Sequence, residues 1–165
     1  MPDTVQEVIP LSEAQQRVLD GVAPLSPVQI ACNLAVGLVL AQDVVASEHV
    51  PPFANTAVDG FAVRAQDVSN AGVELEVLGV IGAGHVASYE IGAGQSARIM
   101  TGAPMPRGAD AVVMQEDCEA LDDDQVKVNK AVPAGQWIRR SGEDVTRGAK
   151  VLSKGTRLTP AELGL

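Results

Sequence analysis

The stretch VELEVLGV, residues 73–80, carries the pattern that decides the fold class of this chain. Val73, Leu75 and Val77 alternate with Glu74 and Glu76, so one side of the segment is apolar and the other is charged. Such alternation is typical of a β-strand with one face on a core and the other in solvent. Further strand-like segments lie on both sides of it: VQIAC (28–32), LVLAQDVV (38–45), SARIM (96–100), AVVMQE (111–116), QVKVN (125–129) and QWIR (136–139). Glycine- and proline-rich turns separate most of these short segments, which predicts a compact β-rich domain over about residues 46–145.

The N-terminal part has a helical period instead. Residues 11–22, LSEAQQRVLDGV, predict a helix that Ser12 and Gln15 cap as a capping box and that Gly21 ends. The apolar residues of its one face are Leu11, Ala14, Val18 and Val22.

The C-terminus carries a second helix signal. Thr159 is a capping residue, Pro160 suits the first helical position, and Glu162 stands at the third. Only residues 160–165 follow the cap, whereas an isolated helix needs about 12 to 15 residues to be even marginal in water. We therefore expect a chain that is part of a longer protein.

Composition limits the partners of this protein. Its 165 residues suffice for one ordinary domain with a small appendage. Hydrophobic residues make up 46% and aromatic residues 2%, so we expect a core of Val, Leu, Ile and Ala. The net charge of −9 leaves no electrostatic footprint for nucleic acid or an anionic membrane, and we expect neither as a partner.

The cysteines and the N-terminus indicate the compartment. Cys32 and Cys118 lack CxxC spacing, so we interpret both as free thiols packed as small hydrophobic residues, which suits a reducing cytosol. The first ten residues, MPDTVQEVIP, do not have the pattern of a signal peptide, and no apolar run is long enough to span a bilayer. We expect a soluble, cytoplasmic protein.

Two common site motifs are poorly supported. IGAG occurs at residues 81 and 91, but no helical segment and no suitably spaced acid follows either copy, so the glycines predict turns or bulges and not a dinucleotide site. His49 and His85 have no metal-ligand spacing, and we expect both at the surface or in loops.

The stretch PPFANTAVDGFAVR, residues 51–64, contains a single carboxylate, Asp59, followed by Gly60. Asp-Gly between TAV and FAV has the chemistry of a two-residue hairpin turn in which both residues take positive φ. Local sequence favours that interpretation. The alternative is that Asp59 is a functional carboxylate.

Two other stretches have the chemistry to bind an anion. In MTGAPMPRGAD (100–110), the hydroxyl of Thr101 and the backbone N–H groups of a proline-stiffened loop could hold an oxyanion, or the loop is simply a turn. In WIRRSGEDV (137–145), Arg139 and Arg140 could bind phosphate or carboxylate, or could pair with the acids that follow them.

Taken in order, these stretches are far more specific than any one of them. PPFANTAVDGFAVR, ARIMTGAPMPRGADAVVMQED, IRRSGEDV and GTRLTPAELG together resemble the MoeA-type molybdopterin molybdenumtransferases, including the gephyrin E domain, from about residue 10 to the last residue. The resemblance implies a dimeric enzyme of molybdenum cofactor biosynthesis that inserts molybdate into adenylylated molybdopterin, with Mg²⁺ and release of AMP.

The resemblance also implies a fold. It is α+β and mostly β, with a central domain of bifurcated, coiled β-sheets (46–145) inserted in a small elongated helical domain for linking and dimerisation (1–45 and 146–165). A pterin-binding α/β domain and a C-terminal β domain, which follow in the family, are absent from these residues.

The same resemblance assigns site residues. Asp59, Thr101 and Arg139 match family residues that line a cleft between the β domain and the pterin-binding domain of the other subunit. Asp59 is then the Mg²⁺ ligand, Arg139 neutralises phosphate or molybdate, and Thr101 adds a hydrogen bond. Arg140, on the other face of the strand, is left to pair with Glu143 or Asp144. Ala54 stands where the family often has an acid, so a second metal-directed carboxylate in that loop is in doubt.

A different class of function stays open. The chain could be a non-catalytic dimerisation or interaction module that keeps this scaffold without the substrate domain.

Overall fold

The computed structural model describes residues 8–122 and 124–165. Residues 1–7 lie outside this described part. They include the start of the predicted helical domain and most of the segment that was compared with a signal peptide. The chain divides into two units. One is Gln42–Lys154, and the other reaches up to Ala41 and includes Gly155–Leu165. The predicted boundaries at residues 45 and 146, and the dimerisation role given to the outer part, stay predictions.

Strands dominate the larger unit. In the described residues they are β1 Val44–Val45, β2 Asn55–Thr56, β3 Gly60–Val63, β4 Val73–Ile81, β5 Gln95–Ile99, β6 Ala111–Met114, β7 Cys118–Ala120, β8 Gln125–Val128, β9 Ile138–Arg139 and β10 Lys150–Leu152. Six of them form one sheet in the order β6-β3-β5-β4-β8-β7. Two further sheets have two strands each, β1 with β10 and β2 with β9. The alternating segment at residues 73–80 is therefore part of a strand of the main sheet, as predicted.

The main sheet is mixed and irregular. β4 and β5 run parallel, whereas the other neighbouring strands are antiparallel. The β4–β5 register shifts between Val77 and Val80, and Gly79, which lies in the shift, has φ 155°. A bulge at glycine bends and twists a strand.

Two apolar clusters lie on opposite faces of this sheet. Ala62 belongs to one cluster and its neighbour Val63 to the other, because successive strand residues point to opposite faces. The fully buried side chains of both clusters are mainly Val, Ile, Leu and Ala, as the composition predicts. Cys118 packs against one cluster, but Cys32 is exposed, so the expectation that it is packed was wrong.

The smaller unit is held by main-chain hydrogen bonds between residues 37–40 and 155–158. These residues form only an isolated bridge, Val39 with Arg157, so the strand predicted at 38–45 is reduced to that bridge and the two-residue β1. The strand predicted at 28–32 is also wrong, because a 3₁₀ turn, Cys32–Leu34, begins there. Residues 28–32 alternate and residues 38–45 are rich in Val and Leu, but neither segment has a regular partner strand over its length.

Helices form at both ends. α1 spans Leu11–Asp20, and Gly21 follows it as the C-cap, as predicted. The capping box of Ser12 and Gln15 was wrong, because the N-cap lies two residues earlier, at Pro10, which has no side-chain donor or acceptor. No residue of α1 is buried, so its apolar face is exposed within this chain.

The second helix, α2, confirms the C-terminal prediction. It spans Pro160–Leu163, with Pro160 at its start. The Thr159 side chain accepts a hydrogen bond from the Ala161 N–H, and the Glu162 carboxylate accepts from the Thr159 N–H at 2.8 Å. These are the two halves of a capping box.

The IGAG segments and the two histidines lie where the sequence predicts them, in turns, in loops or at the surface. The two IGAG segments lead into turns in which Gly84 and Gly94 have positive φ, and no helix follows either one. His85 is exposed, and the half-buried His49 accepts a hydrogen bond from the Arg147 N–H. Within the described residues, no helix has the length and apolar character to cross a membrane.

Candidate functional site

Asp59 lies between two strands that belong to different sheets. β2 pairs with β9, whereas β3 pairs with β5 and β6, so the hairpin interpretation of Asp59 and Gly60 was wrong. Gly60 is a buried strand residue without positive φ. A Cβ atom on Gly60 would lie 2.0 Å from the Val113 carbonyl oxygen. The glycine is therefore required by the close approach of β3 to β6 and not by a turn.

The structure brings Asp59 and Thr101 into direct contact. Asp59 Oδ1 accepts hydrogen bonds from the Thr101 backbone N–H at 2.7 Å and from Thr101 Oγ1 at 2.6 Å. These bonds, the one from the hydroxyl first, lower the pKa of Asp59 below its usual value. In the part of the chain that the structure describes, no hydrogen bond reaches Oδ2. Asp59 is thus an exposed, ionised carboxylate with one oxygen fixed and the other open.

Thr56 ties together the two loops that carry this pair. Its N–H donates to the Ala103 carbonyl at 3.1 Å, and its carbonyl accepts from the Gly102 N–H at 2.9 Å. Its hydroxyl donates to the Val58 carbonyl at 2.7 Å, and the residue is 1% exposed. This buried polar residue holds the Asp59 loop beside Thr101. Its role could not be predicted from the sequence, since a lone threonine near a strand end carries no distinguishing signal.

Arg139 lies in β9, across from Asn55 in β2. Its guanidinium contacts the carboxylates of Asp144 at 2.5 Å and Glu143 at 3.5 Å. Asp144 first, and then Glu143, raise the pKa of Arg139. Two carboxylates therefore contact one guanidinium, through Nε and Nη2, and an incoming anion competes with them.

The expected pairing of Arg140 was wrong. Its backbone N–H donates to Glu143 at 3.0 Å, but among the described residues its side chain forms no ion pair. The reason is local, because β9 ends at Arg139 and the turn that follows brings Glu143 and Asp144 back to Arg139. Strand alternation alone does not reveal the direction of that turn.

Arg98 is a cation near Asp59 that the sequence analysis missed. It is an exposed residue of β5, and its charge contributes, less than Thr101, to the lowered pKa of Asp59. The available signal was its place in ARIMT, three residues before Thr101 on a strand whose other side chains are mostly buried.

A metal ion would find few protein ligands here. No group of three or more His, Cys, Asp or Glu side chains close enough to share an ion occurs in the described residues. Asp59 is one carboxylate, at an exposed position. Mg²⁺ usually binds through one or two carboxylates together with waters and substrate phosphates, so a single open carboxylate fits that ion better than a closed protein site would.

Comparison with known proteins assigns the class. Residues 9–165 match the family model described as MoeA N-terminal region (domain I and II), and the chain belongs to this family. It is 40% identical, over 95% of its length, to the molybdopterin molybdenumtransferase of Bacillus subtilis (strain 168). It is 42% identical, over 94% of its length, to molybdopterin molybdenumtransferase 2 of Mycobacterium tuberculosis (strain CDC 1551 / Oshkosh).

Solved structures confirm the expected mostly β fold with a coiled sheet. A crystal structure of the molybdopterin biosynthesis moeA protein from Pyrococcus horikoshii OT3 matches 96% of this chain with a TM-score of 0.86 and 38% identity. The match covers 43% of that chain. Likewise, this chain spans 38% and 39% of the lengths of the two curated relatives.

Proposed function

We propose that this chain forms part of a molybdopterin molybdenumtransferase in molybdenum cofactor biosynthesis. The reaction proposed is insertion of molybdate into adenylylated molybdopterin with release of AMP. The observation that carries the proposal is the Asp59–Thr101 pair, found in a chain of this family. The pair is exposed, so it suits one wall of a cleft whose other wall is a pterin-binding domain of the second subunit of a homodimer.

Asp59 is the binding carboxylate in this proposal. Thr101 occupies Oδ1 and keeps the carboxylate ionised, which leaves Oδ2 for Mg²⁺ or a water beside the substrate phosphates. Mg²⁺, when bound there, would neutralise phosphate charge. Because the Thr101 hydroxyl already donates to Asp59, Thr101 acts as a positioning residue, and its oxygen is left only as an acceptor toward substrate.

An anionic substrate also needs cations in a chain of net charge −9. Arg139 binds phosphate or molybdate in this proposal after substrate displaces Asp144 or Glu143 from its guanidinium. Arg98, whose charge acts on Asp59, is a second cation for the same anion. The expectation of a cytoplasmic protein belongs to the same proposal and rests on the sequence.

The test is a matched pair of substitutions in a full-length transferase that carries this chain as its N-terminal region. Asp59→Asn should abolish molybdate-dependent AMP release with little change in unfolding temperature, because an amide oxygen still accepts from Thr101. Asp43→Asn is the control, since Asp43 is an exposed carboxylate that likewise accepts a backbone N–H, from Lys154 at 2.7 Å. Full activity of Asp59→Asn would refute the proposed role.

A second function has one observation in its favour. α1 buries none of its residues and presents Leu11, Val18 and Leu19 to solvent, as a dimerisation or interaction module would. The intact mass of the native protein separates the two functions. A native chain that ends at Leu165, forms a dimer and shows no turnover supports the module, whereas a longer chain with turnover supports the transferase.

A further inference from the structure

Trp137 combines two unusual properties. It is the single tryptophan of the sequence, and it is the one residue other than glycine with positive φ, 58°, in the described part of the chain. Glycine and asparagine adopt this left-handed conformation readily, but a bulky aromatic residue there is an outlier. Backbone strain of this kind persists only where the surroundings impose it, and it concentrates at functional sites.

The surrounding backbone does impose it. The Trp137 carbonyl accepts from the Ala57 N–H at 2.9 Å. The preceding residue, Gln136, accepts from the Val112 N–H at 3.0 Å, and the following residue, Ile138, donates to the Gly135 carbonyl at 3.3 Å. The conformation is thus fixed by the fold, and asparagine or glycine would satisfy it at lower cost. We therefore expect the tryptophan side chain at this position to have a function that offsets the backbone strain.

The backbone of Trp137 lies near the candidate site. Trp137 is bonded to Ala57, two residues before Asp59, and it precedes Arg139 by two residues. Neighbouring strands lie about 5 Å apart and two extended residues span at most about 7 Å, so the backbone of Trp137 lies within about 12 Å of that of Asp59. A ligand of nucleotide size spans such a distance. The residue is 40% exposed, so part of the indole is open to a ligand.

We propose that Trp137 binds the planar heteroaromatic ring of the substrate, adenine or pterin, by stacking. The inference rests on the proposed function, because it places the phosphate end of the same ligand at Asp59 and the arginines. Stacking on an aromatic side chain suits any flat ring and needs no hydrogen-bond donor from the protein. Among the aromatic residues, which make up 2% of the chain, Trp137 is the one at a strained backbone position.

The single tryptophan makes the first test direct. In the ¹⁵N-labelled 165-residue chain, one indole N–H signal reports on Trp137 alone. Titration with AMP and with neopterin should shift this signal, whereas ribose 5-phosphate, which has no aromatic ring, should not. A shift with AMP alone assigns the adenine ring, and a shift with neopterin alone assigns the pterin. No shift with either compound at saturating millimolar concentration would overturn the proposal.

Variants provide the second test, with affinities from ligand-observed NMR. Trp137→Asn should weaken binding of the compound that shifts the indole by about 5- to 150-fold, and Trp137→Phe should retain most of the affinity. Leu121→Asn is the control, because Leu121 is 42% exposed in the β7–β8 connection. Trp137→Asn should unfold at the same or a higher temperature, since asparagine tolerates the left-handed conformation. If Trp137→Asn binds the compound with unchanged affinity, the proposal is overturned, whatever the unfolding temperature of the variant.

The outcome is separable from that of the proposed function. An indole shift that depends on the ring, in a protein whose full-length form has no transferase activity, would keep the ring site and reject the transferase. Transferase activity without any ring-dependent shift would do the reverse.

Discussion

Replacing Gly60 by alanine tests whether strand packing or turn geometry requires the glycine beside Asp59. An added Cβ would lie 2.0 Å from the Val113 carbonyl oxygen and 2.9 Å from its carbonyl carbon. Since Cβ contacts shorter than 3.0 Å are essentially not observed, β6 would have to move by about 1 Å. It is not free to do so, because Val112 in the same strand is also bonded to Gln136 on its other side.

The magnitude follows from this geometry. Overpacking a core costs about 1 to 3 kcal/mol when side chains can shift, and here the obstacle is backbone, so we expect a loss of about 3 kcal/mol or more in the free energy of unfolding. In a chain of this size, that corresponds to a fall of about 6 to 12 °C in unfolding temperature. If Gly60 were only a turn residue in the left-handed region, the loss would be about 1 to 2 kcal/mol.

The assay is urea unfolding of Gly60→Ala beside a matched control, Gly82→Ala. Gly82 has no positive φ, and the nearest atom to an added Cβ is His85 Nδ1 at 3.7 Å, an ordinary contact. The control should be neutral or stabilised by up to about 1 kcal/mol. A Gly60→Ala midpoint within error of the control would refute the packing argument.

Three further predictions concern single side chains. Thr101→Val should raise the pKa of Asp59 toward its usual value, which carboxyl NMR measures. The lowered pKa stabilises the fold at pH values above the unfolded-state pKa, and this stabilisation is lost as the pH falls through the folded-state pKa, so it should be smaller in the variant. An unchanged titration of Asp59 would contradict this. In the full-length transferase, Arg139→Ala should cut activity about tenfold or more and Arg140→Ala should change it little, whereas equal losses would indicate a diffuse basic patch. Burial raises the pKa of Cys118 to about 11, so at pH 8 a thiol reagent should modify the exposed Cys32 quickly and Cys118 slowly. Rapid modification of both cysteines would contradict this.

The main sheet could be predicted from local patterns, because its segments are short alternating or apolar runs between turn signals. The alternation in residues 73–77 is the clearest case. The strands expected at residues 28–32 and 38–45 could not, since both segments have strand-like composition but neither has a regular partner along its whole length. A strand needs a neighbour for its hydrogen bonds, and that neighbour is distant in sequence.

The candidate site divides in the same way. Asp59, Thr101 and Arg139 were chosen from motif resemblance, and the structure brings the first two into contact. Arg139, by contrast, lies between two carboxylates of its own turn. That arrangement depends on where a two-residue strand ends, which no periodicity reveals. Arg98 was missed for a related reason, because its proximity to Asp59 arises from the pairing of β3 with β5.

The Asp-Gly pair shows why local sequence could not decide its own meaning. Both the hairpin and the functional interpretation use the same two residues, and each is chemically sound. What separates them is long-range pairing, since β2 joins β9 while β3 joins β5 and β6, and this removes the hairpin. The two residues are therefore subject to different constraints. Gly60 permits the close approach of β6, whereas Asp59, bonded to Thr101, is exposed just before β3 begins. Asp59 does not belong to either apolar cluster, so packing does not determine which residue stands there. The proposed binding role gives a reason for a carboxylate at this position.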